Sequence, residues 1–99
     1  MNRALSTLAL TAFAYPVLAQ PAALVPDAKT AISIARAVLT PIYGPQVIQA
    51  EEPLIAVRQD DVWVVRGTLN CPHEKCLGGT AELKLSAKDG RILHVIHGK

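Results

Sequence analysis

No run of like charge occurs in this sequence. Ten basic and eight acidic residues leave the 99-residue chain with a formal net charge of only +2. A nucleic-acid binder would carry a clustered basic patch, so that class is set aside. Nor is there a membrane-length apolar run: the uncharged stretch Ala4 to Ala14 is too short to span a bilayer. A phosphate-binding glycine loop is missing, because Leu77-Gly78-Gly79 precedes a strand pattern and not a helix. Ser33 and Ser86 sit in regular patterns with no nucleophile elbow around them. The length allows one small domain and excludes a multi-step enzyme. With 51% apolar residues the chain is too hydrophobic to be disordered.

Part of that apolar excess lies at the start. Arg3 and the amino terminus form a positive region, Ala4 to Ala14 a hydrophobic one, and Pro16 breaks any helix there. Val17-Leu18-Ala19 offers small residues at the positions signal peptidase reads, so residues 1–19 read as a signal peptide cut between Ala19 and Gln20. Ala12-Phe13-Ala14 is a second candidate site with a shorter hydrophobic region. The expectation is a periplasmic or secreted protein. No cysteine follows the cut, which argues against a lipid anchor, and no stable membrane anchor is expected after cleavage. What remains is 80 residues of ordinary composition, a size at which covalent staples are common.

Cys71 and Cys76 suit that need. They bracket Pro-His-Glu-Lys, and in an oxidising compartment two nearby thiols usually pair. The alternatives are free thiols or a metal site using His73. Structural zinc sites, however, use a two-residue spacing and four ligands, and oxidoreductases also use Cys-x-x-Cys. His94 and His97 would fall on opposite faces of a strand and could join such a site only if the chain bent. No cofactor is expected.

Residues 20–26, with two prolines, read as an extended and poorly ordered lead-in to a domain over 27–99. Asp27 suits a helix N-cap, and apolar residues at 28, 31, 32, 35, 38, 39 and 42 mark one helical face. The helix is expected over 27–40, stopped by Pro41 and Gly44-Pro45. Val47 to Ala50 reads as a short first strand. Leu54 to Gln59 and Val62 to Leu69 read as a hairpin around Asp60-Asp61. Thr80 to Ala87 alternates cleanly, Asp89-Gly90 turns, and Ile92 to His97 forms the last strand. The fold class is α+β: one N-terminal helix packed on a curved antiparallel sheet of three to five strands.

Few residues suggest chemistry. Asp60 and Asp61 are explained by the turn, and Glu51-Glu52 by solvation before Pro53. His73 reads as a surface residue. His94 and His97 are suited to tuning stability near neutral pH, and nothing marks them as catalytic. The strands at 62–69 and 92–97 carry apolar groups on both faces. Either the lead-in or the cysteine loop folds over the second face, or that face binds a partner or a second copy, making a homodimer. Tyr43 and Trp63 serve either the core or an interface.

Several stretches come in a familiar order. They are Thr30-Ala31-Ile32 with Ile34-Ala35, Pro41-Ile42-Tyr43-Gly44, Trp63-Val64-Val65 with Gly67-Thr68-Leu69, Gly78-Gly79, Lys88-Asp89-Gly90-Arg91-Ile92-Leu93 and His97-Gly98-Lys99. Over roughly residues 28–99 this order resembles the bacterial immunity proteins of the nuclear transport factor 2-like fold. The resemblance implies a non-enzymatic protein that binds and neutralises a cognate protein toxin. The full cone of that superfamily has more helices and a larger sheet, so a reduced form is implied here. The signal and the cysteine loop lie outside the shared pattern and suggest an exported version. A helix, a hairpin and a final Gly-Arg-Ile-Leu-like strand also resemble the small secreted PepSY domains, whose partner would be a peptidase. On the immunity reading, the partner-binding surface is expected to include His73, Glu74 and Lys75 of the Cys71–Cys76 loop, the sheet face near Trp63, and Tyr43.

Overall fold

The structure, a computed structural model, describes residues 23–71 and 78–99. The expected signal peptide, and with it His73, Glu74, Lys75 and Cys76, lie outside the described residues. The element order is α1 (Ala28–Tyr43), α2 (Pro45–Ala50), β1 (Ile55–Gln59), β2 (Val62–Arg66), β3 (Ala81–Ser86) and β4 (Ile92–His97).

Helix α1 starts where the sequence says it should. Asp27 is its N-cap, and one carboxylate oxygen accepts from the Thr30 amide at 2.8 Å and the Thr30 hydroxyl at 2.7 Å. These bonds, the hydroxyl's first, hold the Asp27 carboxyl below its ordinary range. Ala31, Ala35 and Leu39 bury the apolar stripe. The expected stop at Pro41 is corrected: the helix runs to Tyr43 with Pro41 inside its last turn. A proline there withholds one amide donor, a loss offset by packing of Val38, Leu39 and Tyr43 on the core. Gly44 ends the helix instead. Its φ of 98° is open to glycine, and its amide donates to the Thr40 carbonyl at 2.8 Å.

The expected short strand at 47–50 is also corrected, because these residues lie in α2. Pro45 stands at the start of that helix, where its fixed φ suits and its missing donor costs nothing. One turn later Ile48 enters the core at 2% exposure.

The four strands form one antiparallel sheet in the order β1-β2-β3-β4. The Asp60-Asp61 hairpin is present, with Gln59 opposite Val62 and Asp60 at φ 55°. Strand β2 ends at Arg66, short of the expected Leu69, because the Thr68 amide leaves the ladder to bond the Glu51 carbonyl at 2.7 Å. A register shift at Lys84/Leu85 interrupts the β3–β4 ladder.

Helix α1 covers one face of this sheet. Trp63, Val65, Leu83 and Leu85 point to that side, paired across strands as Trp63–Leu85 and Val65–Leu83. Burying a side chain of this size stabilises the fold by about 1.5–3 kcal/mol. The described end of the lead-in is fixed, not loose: the Leu24 and Val25 amides donate to the Lys88 and Ala87 carbonyls at 3.0 Å each. Val25 plugs the helix-side core at 2% exposure, so it does not cover the opposite face.

Candidate functional site

Three regions of the described structure stand out: the two ends of the sheet and its open face. The first end is where β2 and β3 are joined through the cysteine loop. Here Thr68 to Cys71 is tied to the segment after α2. The Thr68 hydroxyl donates to the Pro53 carbonyl at 2.6 Å, and the Asn70 side-chain amide to the carbonyls of Ala50 and Glu52 at 3.0 and 2.8 Å. These bonds fix one stem of the loop against α2, so the loop leaves from a rigid base.

Beneath that stem sits a charged cluster. Glu51 and Glu52 are not the solvated pair expected from the sequence. Glu51 is 8% exposed. One of its oxygens accepts the Ala81 amide at 2.7 Å and the other faces His97 Nε2 at 2.7 Å. A Cβ at position 67 would collide with the Glu51 carboxylate, so Gly67 is required for this approach. His97 Nδ1 lies 2.7 Å from the Gly98 carbonyl. Both ring nitrogens therefore face acceptors, and only the protonated ring donates to both. The Glu51 contact first, and Gly98 second, raise the His97 pKa above its ordinary 6.5. Tyr43 packs on this ring with centroids 5.1 Å apart. Glu52 turns outward to a two-point pair with Arg36 at 2.8 and 3.0 Å, which holds its carboxyl below the ordinary range.

The other end holds the β1–β2 hairpin and is apolar at its centre. The Trp63 indole N–H donates to the Val25 carbonyl at 2.8 Å, and the ring is 7% exposed on the helix side. Of the two roles the sequence left open for Trp63, core or interface, its large surface takes the core one. The Arg58 guanidinium lies 5.7 Å from the ring centroid.

The structure thus separates the expected site residues. Tyr43 stands at the loop end against the His97 ring, while Trp63 is buried toward the other end. His94 and His97 do fall on opposite faces, His94 opposite Lys84 and His97 opposite Ala81.

The open face is the third region. Ile55, Val57 and Ile96 are 50%, 47% and 49% exposed there, around a buried Val64. They alternate with the core residues of the same strands. Among the described residues there is no cavity, no group of three metal-ligating side chains, and no helix long and apolar enough to cross a membrane.

Comparison with known proteins adds the family. One curated relative, "Uncharacterized protein YhhH" of Escherichia coli (strain K12), is 30% identical over 76 residues, which cover 77% of this chain and 58% of the relative. The chain thus spans little more than half the length of that relative. No solved structure matches. Residues 30–99 match the family described as "NTF2 fold immunity protein", a span that runs from the first turn of α1 to the end of the chain. The helix on an open antiparallel sheet agrees with that fold, and the immunity resemblance takes precedence over the PepSY one. The chain belongs to the family of NTF2 fold immunity proteins.

Proposed function

We propose that this protein is an exported immunity protein that binds a cognate protein toxin and neutralises it without chemistry of its own. Family membership supports the toxin as partner. The amino-terminal pattern of Arg3, the uncharged stretch and Ala19 supports export, and export favours a Cys71–Cys76 disulfide.

The contact with the toxin is assigned to the loop end. The observation that carries this assignment is the set of hydrogen bonds fixing Thr68 and Asn70 to the segment after α2. The charged residues His73-Glu74-Lys75 then follow a preorganised stem, with Tyr43 at the same end of the sheet, and preorganisation of the stem reduces the ordering cost of binding. Trp63 takes no part.

The test is co-production with a candidate toxin recovered by pull-down from the periplasm. Protection is expected when the immunity protein is exported and is lost when residues 1–19 are removed. Mass spectrometry of the exported form should find Gln20 first. Exchanging the loop charges, Glu74→Lys with Lys75→Glu, is expected to weaken toxin binding at least tenfold with an unchanged melting temperature. Unchanged binding would remove the loop assignment, and a toxin that kills regardless would remove the immunity role.

A further inference from the structure

The open face carries a pattern that the loop end does not use. The register aligns one residue from each strand into a row: Ile55, Arg66, Glu82, Ile96. The outer two are half-exposed aliphatics. The inner two form an ion pair, Arg66 Nε to Glu82 Oε1, at 2.7 Å. Across the sheet the row reads aliphatic, cation, anion, aliphatic. The next row reads Val57, Val64, Lys84, His94.

The first row is complementary to itself in reverse. A twofold axis running along the strands sets β1 over the second copy's β4, and β2 over the second copy's β3, while each row stays over itself. Ile55 then meets the second copy's Ile96, and Arg66 meets the second copy's Glu82. In the second row, Val64 lies under the methylene stem of the second copy's Lys84. The other in-plane twofold, across the strands, is disfavoured. It sets Lys84 over Lys84, and Arg66 and Glu82 over the second copy's Val62 and Ser86, leaving charges desolvated without new partners. Aligned sheets pack face to face about 10 Å apart, within reach of arginine and glutamate side chains from opposite sheets.

We infer that the open face is a self-docking surface that joins two copies of this chain into a face-to-face sandwich, with a four-charge cluster of two Arg66 and two Glu82 at its centre. The face is isologous, as a twofold dimer requires. It covers the aliphatic residues that α1 leaves uncovered, and it does not use the loop end proposed for the toxin.

Sedimentation equilibrium on the proposed exported form, beginning at Gln20, tests the inference. A dimer is expected for the unaltered protein. Arg66→Glu places two acids against two acids and should weaken the dimer at least tenfold; Glu82→Arg should do the same. The double variant restores opposite signs within and between copies, so it should dimerise again. Ile96→Lys should also give a monomer. Unchanged circular dichroism spectra show that these surface variants remain folded. A strictly monomeric unaltered protein would overturn the inference, as would a dimer insensitive to all three single substitutions. Ile96→Lys abolishing toxin binding in a monomeric protein would assign the face to the toxin and also overturn it. The loop-charge exchange at Glu74 and Lys75 is expected to leave the dimer intact, so the two readings fail separately.

Discussion

The two ends of the sheet are held by different chemistry. At the hairpin end the central contacts are apolar: Val25 plugs the core and Trp63 closes over it, with one buried hydrogen bond between them. At the loop end the central contacts are ionic and polar: Glu51 bridges the start of β3 and the end of β4 through Ala81 and His97. An apolar plug is indifferent to pH and tolerates no loss of volume. A histidine–carboxylate bridge tolerates modest changes in shape but responds to protons. The charge-bearing end is also the one that carries the loop, so the partner surface proposed here stands on the more adjustable of the two supports.

The largest effect is expected at the hairpin end. Trp63→Ala removes the ring and leaves the Val25 carbonyl without its indole donor, at a cost of about 3–5 kcal/mol. Small domains have about 5–15 kcal/mol in total, so urea denaturation should show a strongly lowered midpoint. The loss should be the same at pH 6 and pH 8. A loss that depended on pH would break the contrast between the ends.

Glu51→Ala comes next. It leaves the buried Ala81 amide without its acceptor and removes the partner of His97, at a cost of about 2–3 kcal/mol near pH 6. Glu51→Gln keeps an acceptor for the Ala81 amide, so denaturation midpoints should fall in the order unaltered, Gln, Ala. Equal losses for Gln and Ala would mean that the amide bond contributes nothing.

How far these ends were legible from the sequence follows the same division. The strands, the Asp60-Asp61 hairpin and the Asp27 cap are local signals, and each appears in place. The end of α1 was misread because one proline in a last turn removes only one donor, which local rules overweight. Segment 47–50 was too short for its period to tell strand from helix. Trp63 stays open between core and interface in the sequence because Val62, Trp63, Val64 and Val65 give β2 two apolar faces, and alternation cannot say which one a helix will cover. The Glu51–His97 bridge spans 46 positions in the chain. No spacing rule reaches that far, so Glu51 looked like a surface acid. The half-exposed second face was legible as a conflict, although its charge row becomes visible only with the strand register.

The pH response of the bridge follows from its sign. Folding raises the His97 pKa above 6.5, so the folded state holds this proton more tightly than the unfolded chain. Its stabilisation is fully present below about pH 6.5 and is lost as pH rises through the higher folded value. Melting temperatures between about pH 5 and pH 9 should therefore fall above about pH 6.5 by more in the unaltered protein than in His97→Gln. The same slope in both would assign the pH dependence to other groups.

The smallest effect is expected from charges at the hairpin end, and it completes the comparison. Asp61 lies 3.6 Å from Arg58 and 3.7 Å from Lys88, and all three side chains are well exposed. Exposed pairs at such distances contribute no more than about 1 kcal/mol and are screened by salt. Lys88→Ala should therefore shift the urea midpoint only slightly, and by less still at high ionic strength. Arg58 differs in two respects, because its guanidinium also lies over the Trp63 ring and its Nε donates to the Asp60 carbonyl at 2.7 Å. Arg58→Lys keeps the charge but presents no planar group to the indole, so it should cost more than Lys88→Ala and keep that cost in high salt. If the two substitutions proved equal and equally sensitive to salt, the arginine would be acting as a surface charge alone. The hairpin end would then owe its stability entirely to the plug beneath it.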